Sequence, residues 1–166
     1  VNEVIATLAT RAMQSGSALS VRLHPNDDVN MGQSSNDVFP SAMHMAVVSQ
    51  TTRDLLPALT YLRTELAAKA VQFADIVKIG RTHLQDATPV RLGQEFGAYE
   101  AQLQLCEEQI RHALLAVFAL PIGGTAVGTG LNTHPEFGAR VTRMLAEHLG
   151  LPLRRADNLF AAIAGH

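Results

Sequence analysis

At 166 residues, 47% hydrophobic and 17% charged, the chain is long enough for one domain with a real core and too apolar to be disordered. A formal net charge of −2, with Lys and Arg scattered, excludes the electrostatic footprint of a nucleic-acid or anionic-membrane binder and leaves small molecules or proteins as partners. The lone Cys106 excludes an internal disulfide framework and points to a reducing compartment, and no run of about 18 apolar residues is present to span a bilayer.

Residues 1 to about 15 pattern as a helix with Val4 or Ile5, Leu8 and Ala12 on one face and Gly16 near its end. Val1 to Ala6 lack an initiator Met, a basic n-region and a cleavage pattern, so a native start is expected upstream. Ser17 to Asn36 is rich in Asn, Asp, Ser and Gly and reads as a loop. A second helix is expected from about Asp37 towards Ala70, with Ser35 and Asn36 as N-cap residues, Pro40 in its first turn, and a kink or break at Pro57. Asp75 to Ile79 is a short β-branched piece, and Gly80 to Pro89 a polar loop.

In the third helix Leu92, Phe96, Tyr99, Leu103, Cys106, Ile110, Ala113, Val117 and Leu120 alternate steps of four and three, the 3.5-residue period of a long packed seam. At 1.5 Å per residue the helix is roughly 43 Å long, against a radius of gyration of about 15 Å for a compact globule of this size. Such a helix spans the molecule, and its apolar far half calls for several partner helices, some from other subunits. Cys106 is expected in the core. Pro121 ends the helix, and Gly123 to Asn132 follow as a Gly-rich loop. Two short helices come last, one from about Pro135 to Leu149 before Gly150 and Pro152, the other from near Asn158 and still running at Ala161 to Ala164 when the chain stops at His166. Both ends of the chain read as truncations. The expected fold class is mainly all-α: a long-helix bundle with short irregular β pieces and loops.

Four segments carry candidate chemistry. Ser34, Ser35, Asn36 and Asp37 at a helix start suit an anion through free N–H groups, hydroxyls and an amide, although taken alone such residues are more often a simple helix cap. Thr82 and His83 pair a hydroxyl with an imidazole able to exchange protons near neutral pH, but a surface His is commonly only hydrogen-bonded. His24, Pro25, Asn26 and Asp27, with Arg22 nearby, offer an anion site opposed by Asp27 and Asp28, or a loop held by Asx turns. The Gly-rich loop lacks the third glycine and flanking elements of a dinucleotide fingerprint and the Gly-Lys-Ser/Thr of a phosphate loop, so tight turns explain it better. The seven His residues show no pair at i, i+4 and no compact Cys/His spacing, so no metal is expected.

In order and wording the chain resembles class II fumarase. The segments are His24-Pro25-Asn26-Asp27-Asp28-Val29-Asn30, Gln33-Ser34-Ser35-Asn36-Asp37-Val38-Phe39-Pro40, Gly80-Arg81-Thr82-His83-Leu84-Gln85-Asp86-Ala87, Leu92-Gly93-Gln94-Glu95-Phe96, and Gly124 to Asn132. They are specific to a superfamily that includes aspartase and the argininosuccinate and adenylosuccinate lyases. Aspartases typically read Gly-Arg-Thr-Gln where this chain has His83, and Ser-Thr-Asn where it has Ser34-Ser35-Asn36. Both differences favour fumarase over an aspartase or another lyase of that superfamily. Retention of all these residues argues against a purely structural relative such as a lens crystallin.

The resemblance implies a homotetrameric helical bundle whose active sites draw on three subunits, and reversible hydration of fumarate to L-malate, without a metal or organic cofactor, in the cytoplasm or in the mitochondrial matrix of a eukaryote. By position it implies that Ser34, Ser35, Asn36, Thr82 and His83 bind the dicarboxylate, with Thr82 and His83 catalytic, and that His24, Pro25, Asn26 and Asp27 form a second anion site. Some relatives carry an arginine where this chain has Val21. Residues 1–166 then form part of a central helical domain truncated at both ends: 1–36 closes an N-terminal region and anion loop, and 37–166 supplies bundle helices and site loops. The family's Gly-Ser-Ser-x-Met-Pro-x-Lys-x-Asn loop, which brings the serine assigned as carbon base, has no counterpart in the sequence. The 166 residues alone are therefore expected to be inactive.

Overall fold

The computed structural model describes residues 1–16 and 22–165; Val21 and the start of the expected loop lie outside them. It is mainly helical, with α1 (Asn2–Gly16), α2 (Ser35–Gln50), α3 (Leu56–Gln72), α4 (Leu92–Val117), α5 (Phe137–Leu149) and α6 (Leu159–Ala164). The strands β1 (Val77–Thr82), β2 (Gln85–Arg91), β3 (Ala119–Leu120) and β4 (Arg154–Arg155) are short, and π turns occupy Pro25–Val29 and Thr51–Leu55. The chain divides into two compact units, Val1–Met45 with Phe118–His166, and Ala46–Val117.

In the first unit Leu120, Ile122 and Leu153 form a buried core, packed by Val38, Met45, Phe118, Val141, Leu145, Ala146 and Leu151. β3 and β4 pair in parallel, a connection that needs a crossover, which α5 supplies. This pairing corrects the expected third helix. The Phe118 and Leu120 carbonyls accept from the Arg154 and Ala156 N–H groups at 2.9 Å each, so the chain is extended where a helix was expected to reach Leu120. Gly150 closes α5 with φ 63°, and the Asn158 side chain caps α6 by accepting from the Ala161 N–H at 3.0 Å. α6 includes Ala161 to Ala164, as expected, and His166 lies outside the described residues.

The face expected on α1 is not the one covered. Ala6 is buried, whereas Val4, Ile5 and Leu8 are exposed. The segment lying on α1 is attached through polar groups instead: Asn2 Nδ2 donates to Asn30 Oδ1 at 3.1 Å, and the Leu23 N–H donates to Thr10 Oγ1 at 3.1 Å.

In the second unit α3 and α4 pack antiparallel, joined by the β1–β2 hairpin. In place of the kink or break expected at Pro57, the helix widens just ahead of it without interruption, the backbone staying in the α region at Gln50, Leu55 and Leu56. Pro57 has no N–H to give the Arg53 carbonyl, and the wider π turn at Thr51–Leu55 accommodates the ring. α4 is 26 residues long, about 39 Å at 1.5 Å per residue. Its covered face is rotated by about one residue from the expected seam: Gly93, Glu107 and Leu114 are buried, while Tyr99 and Cys106 are exposed. Gly93 sets this rotation, because a Cβ there would lie 2.4 Å from the Ala70 carbonyl oxygen. Phe73 and Phe96 close the same end edge to face, centroids 5.1 Å apart.

Candidate active site

The head of α2 begins two residues earlier than the sequence suggests. Ser34 is its cap: the Ser34 hydroxyl accepts from the Asn36 N–H at 3.2 Å, and Asp37 Oδ1 accepts from the Ser34 N–H at 3.1 Å. This is a variant of a capping box, with Asp in the acidic place and the hydroxyl accepting from the second helical N–H rather than the third. Pro40 consequently lies in the second turn and is fully buried.

Asp37 does more than cap. Its second oxygen accepts from the N–H groups of Gly123 and Thr125, both at 2.9 Å, and the carboxylate is wholly excluded from water. Three backbone donors compensate the burial of the charge. The Gly-rich segment is thus a series of tight turns tied to α2, as expected, with left-handed backbone at Gly123, Thr125, Gly128 and Gly130. Asn36 adds a second tie, donating from Nδ2 to the Ala126 carbonyl at 2.8 Å. One N–H of that amide stays available, and the exposed Ser35 hydroxyl bonds to no other described residue. Ser35 and Asn36 line a cleft of about 370 Å³ with Phe39, Pro40 and Ile163.

Thr82 and His83 belong to the other unit and stand on a hairpin rather than a loop. Thr82 pairs with Gln85, leaving His83 and Leu84 as a two-residue turn with φ 49° and 62°. Positive φ at both positions gives the turn whose twist matches a hairpin, a role usually filled by Asn-Gly. Holding a leucine there costs of order 1–3 kcal/mol, and such backbone clusters at functional sites. Leu84 is 96% exposed, and among the described residues neither the Thr82 hydroxyl nor the His83 ring has a hydrogen-bond partner. Below the tip Arg81 Nε meets Asp86 Oδ1 at 3.1 Å, and a bulge sits at Gly80, where a Cβ would lie 2.7 Å from the Thr88 carbonyl oxygen.

His24, Pro25, Asn26 and Asp27 close on themselves. The His24 N–H donates to Asp28 Oδ2 at 2.7 Å, its Nδ1 accepts from the Asp27 N–H at 3.3 Å, and the same nitrogen lies 3.1 Å from Asp27 Oδ2. The ring also borders a cleft of about 820 Å³ that Arg11 and Arg22 line. The structure therefore places the Ser34–Asn36 and His24–Asp27 segments in one unit, and Thr82 with His83 in the other. Among the described residues no group of three His, Cys, Asp or Glu is arranged to hold a metal ion.

A family model described as Lyase matches residues 1–166, the whole chain. The chain belongs to this lyase family. The chain is 56% identical over 165 residues to a fumarate hydratase class II of Chromobacterium violaceum, covering 99% of this chain and 36% of that protein. It is also 56% identical to a fumarate hydratase class II of Methylorubrum extorquens, covering 35% of it. The chain thus spans about a third of the length of the curated relatives it matches. Among solved structures, it resembles the class II fumarase of Schistosoma mansoni with a TM-score of 0.81 and 40% identity, over 99% of this chain and 38% of that one. A fumarate lyase:delta crystallin structure from Brucella melitensis gives 0.79 and 37%, over 98% of this chain and 35% of that one.

Of two positions that organise the chain, one is legible in part and the other not at all. Asp37 reads in sequence as one more cap residue; its spacing from Ser34 signals the capping box, but nothing local signals the Gly-rich segment that it holds. Glu107 gives no signal at all, because a charged residue one step off an apolar seam reads as surface. It is 8% exposed: Oε1 accepts from Arg111 at 2.8 Å and from the Thr60 hydroxyl at 3.0 Å, and Arg63 lies 3.8 Å from Oε2. The Arg111 hydrogen bond, then that of Thr60, then the Arg63 charge, hold its carboxyl below the ordinary glutamate range.

Proposed function

We propose that the longer protein carrying this segment is a class II fumarate hydratase, a homotetramer that interconverts fumarate and L-malate in the cytoplasm or, in a eukaryote, the mitochondrial matrix. The observation that carries this reading is the 56% identity to proteins named fumarate hydratase class II across the whole chain, with His83 at the hairpin tip where aspartases have glutamine.

In the malate direction a C–H beside a carboxylate loses its proton, the electron pair forms the aci-carboxylate, and the C–O bond then breaks as the hydroxyl takes up a proton and leaves as water. The difficulty is the doubly charged intermediate, which needs donors already in place. Ser34, Ser35 and Asn36 supply hydroxyls and the free amide N–H beside a helix N-terminus. Thr82 orients the departing water, and His83 handles its proton, unencumbered by any partner among the described residues. His24, Pro25, Asn26 and Asp27 form a second anion site that engages ligand only when the His24 ring gives up its local Asp27 contact.

The 166 residues are an internal portion of the central helical domain and are inactive alone, because the serine that removes the carbon proton lies elsewhere in the protein. Supplying malate and aspartate separately to the full-length protein tests the substrate class. Fumarate is expected from malate only; release from aspartate with ammonia would make the protein an ammonia-lyase.

A further inference from the structure

We propose that Lys78 and Glu95 are positioning residues that aim the hairpin presenting His83; the role of that aim in catalysis rests on the hydratase reading above. The hairpin leaves α3 and enters α4 with little cover, for Val77 and residues 81–89 are exposed and only residues 78–80 and Val90 are half-buried. A two-stranded hairpin without a packed face is marginal by itself and takes its direction from whatever fixes its base. Backbone bonds fix the lowest rung: the Leu92 N–H donates to the Ile76 carbonyl at 2.8 Å, and the Gly93 N–H to the Phe73 carbonyl at 3.0 Å. Gln94 Oε1 accepts from the Arg91 N–H at 2.9 Å, which holds the end of β2.

β1, the strand that ends in Thr82 and leads into His83, has one side-chain tie to a helix among the described residues. Lys78 Nζ donates to both carboxylate oxygens of Glu95, at 2.7 and 2.8 Å. Lys78 and Glu95 are each about one-third exposed, so the pair adds little to stability. Its leverage is geometric. Five residues of strand separate Lys78 from His83, roughly 17 Å at about 3.3 Å per residue, so a tilt of about 3° at the base moves the tip by about 1 Å. A displacement of that size is enough to cost up to about 100-fold in rate. A pair that stabilises little but aims the imidazole predicts a loss in turnover without a loss in folding.

The test uses the full-length protein with Glu95→Gln, Lys78→Met, Lys78→Arg, and the exchanged pair Lys78→Glu with Glu95→Lys. The neutral single variants are expected to lose at least tenfold in kcat for malate, with KM within about twofold and Tm within a few degrees of wild type. Lys78→Arg and the exchanged pair are expected to recover kcat to within about fivefold of wild type. Hairpin amides from Ile79 to Val90 are expected to exchange hydrogen at least tenfold faster in Glu95→Gln. An unchanged kcat in the single variants, an exchanged pair no better than they are, or a kcat loss accompanied by a Tm fall above about 10 °C would overturn the proposal. Should wild type fail to hydrate fumarate, the hydratase reading falls separately, and hydrogen exchange alone decides: unchanged rates in Glu95→Gln reject the Lys78–Glu95 anchor.

Discussion

Asp37 accepts three backbone N–H groups in full exclusion from water, and truncating it leaves those donors buried and unpaired. Hydrogen bonds to a charged group contribute about 1.5–3 kcal/mol each, and an orphaned donor costs about 1–3. Asp37→Ala is therefore expected to cost at least about 3 kcal/mol in denaturant unfolding, and a loss below about 1 kcal/mol would show that the Gly-rich turns hold themselves. Glu107 makes a pH prediction. Its folded pKa is depressed, so its stabilisation is present above the ordinary glutamate value of about 4.3 and is lost as pH falls through the lower folded value. Glu107→Gln should flatten that acid limb of the Tm-against-pH curve; an unaltered limb would place the acid sensitivity elsewhere. At this scale the sequence reveals chemistry better than burial. Ser34, Asn36 and His83 stand out as candidates by residue type and order, but Cys106 and Glu107 exchange places because a one-residue rotation of α4 is decided by the Ala70 carbonyl against Gly93, which no local pattern records.

Helix α4 can approach α3 closely only where a side chain is missing. Gly93→Ala would drive a Cβ to 2.4 Å from the Ala70 oxygen, and overpacking of this kind costs typically about 1–3 kcal/mol. At Gly97 the nearest neighbour of an added Cβ is the Ala70 methyl at 3.9 Å, an ordinary contact, so Gly97→Ala should be neutral or stabilising by up to about 1 kcal/mol through helix propensity. Paired thermal melts check both. Equal effects would mean that the helices slide past one another freely. Most helices are readable because periodicity, Pro and Gly are local signals: α5 ends at Gly150 and the π turn between α2 and α3 falls beside Pro57. The hairpin is readable only at its start, where Asp75 to Ile79 read as a β-branched piece; its strands bury no face, and its turn uses His83 and Leu84 in place of the glycine or asparagine that would mark it. β3 is likewise hidden, because its partner β4 lies more than thirty residues away in sequence.

For the whole molecule, the helical class and the order of the motifs follow from sequence, whereas the division into two units depends on contacts between residues before Met45 and after Phe118. Apolar side chains left exposed on α1, α3 and α4, among them Val4, Leu8, Tyr61, Tyr99, Leu105 and Leu115, support assembly of the longer protein. Sedimentation of that protein is expected to give the mass of four chains; a monomer would reject the proposed tetramer. The site itself makes the stronger demand. If Ser34 to Asn36 bind the dicarboxylate and His83 moves the proton on water, the full-length protein should form fumarate from L-malate, and His83→Asn should lower kcat at least about 100-fold with Tm unchanged. The most direct measurement is therefore the ultraviolet absorbance of fumarate as malate is consumed by wild type, by His83→Asn and by the isolated 166 residues. The account predicts turnover in the first, near loss in the second and none in the third; a wild type that leaves malate untouched, or a His83→Asn protein as fast as wild type, would contradict it.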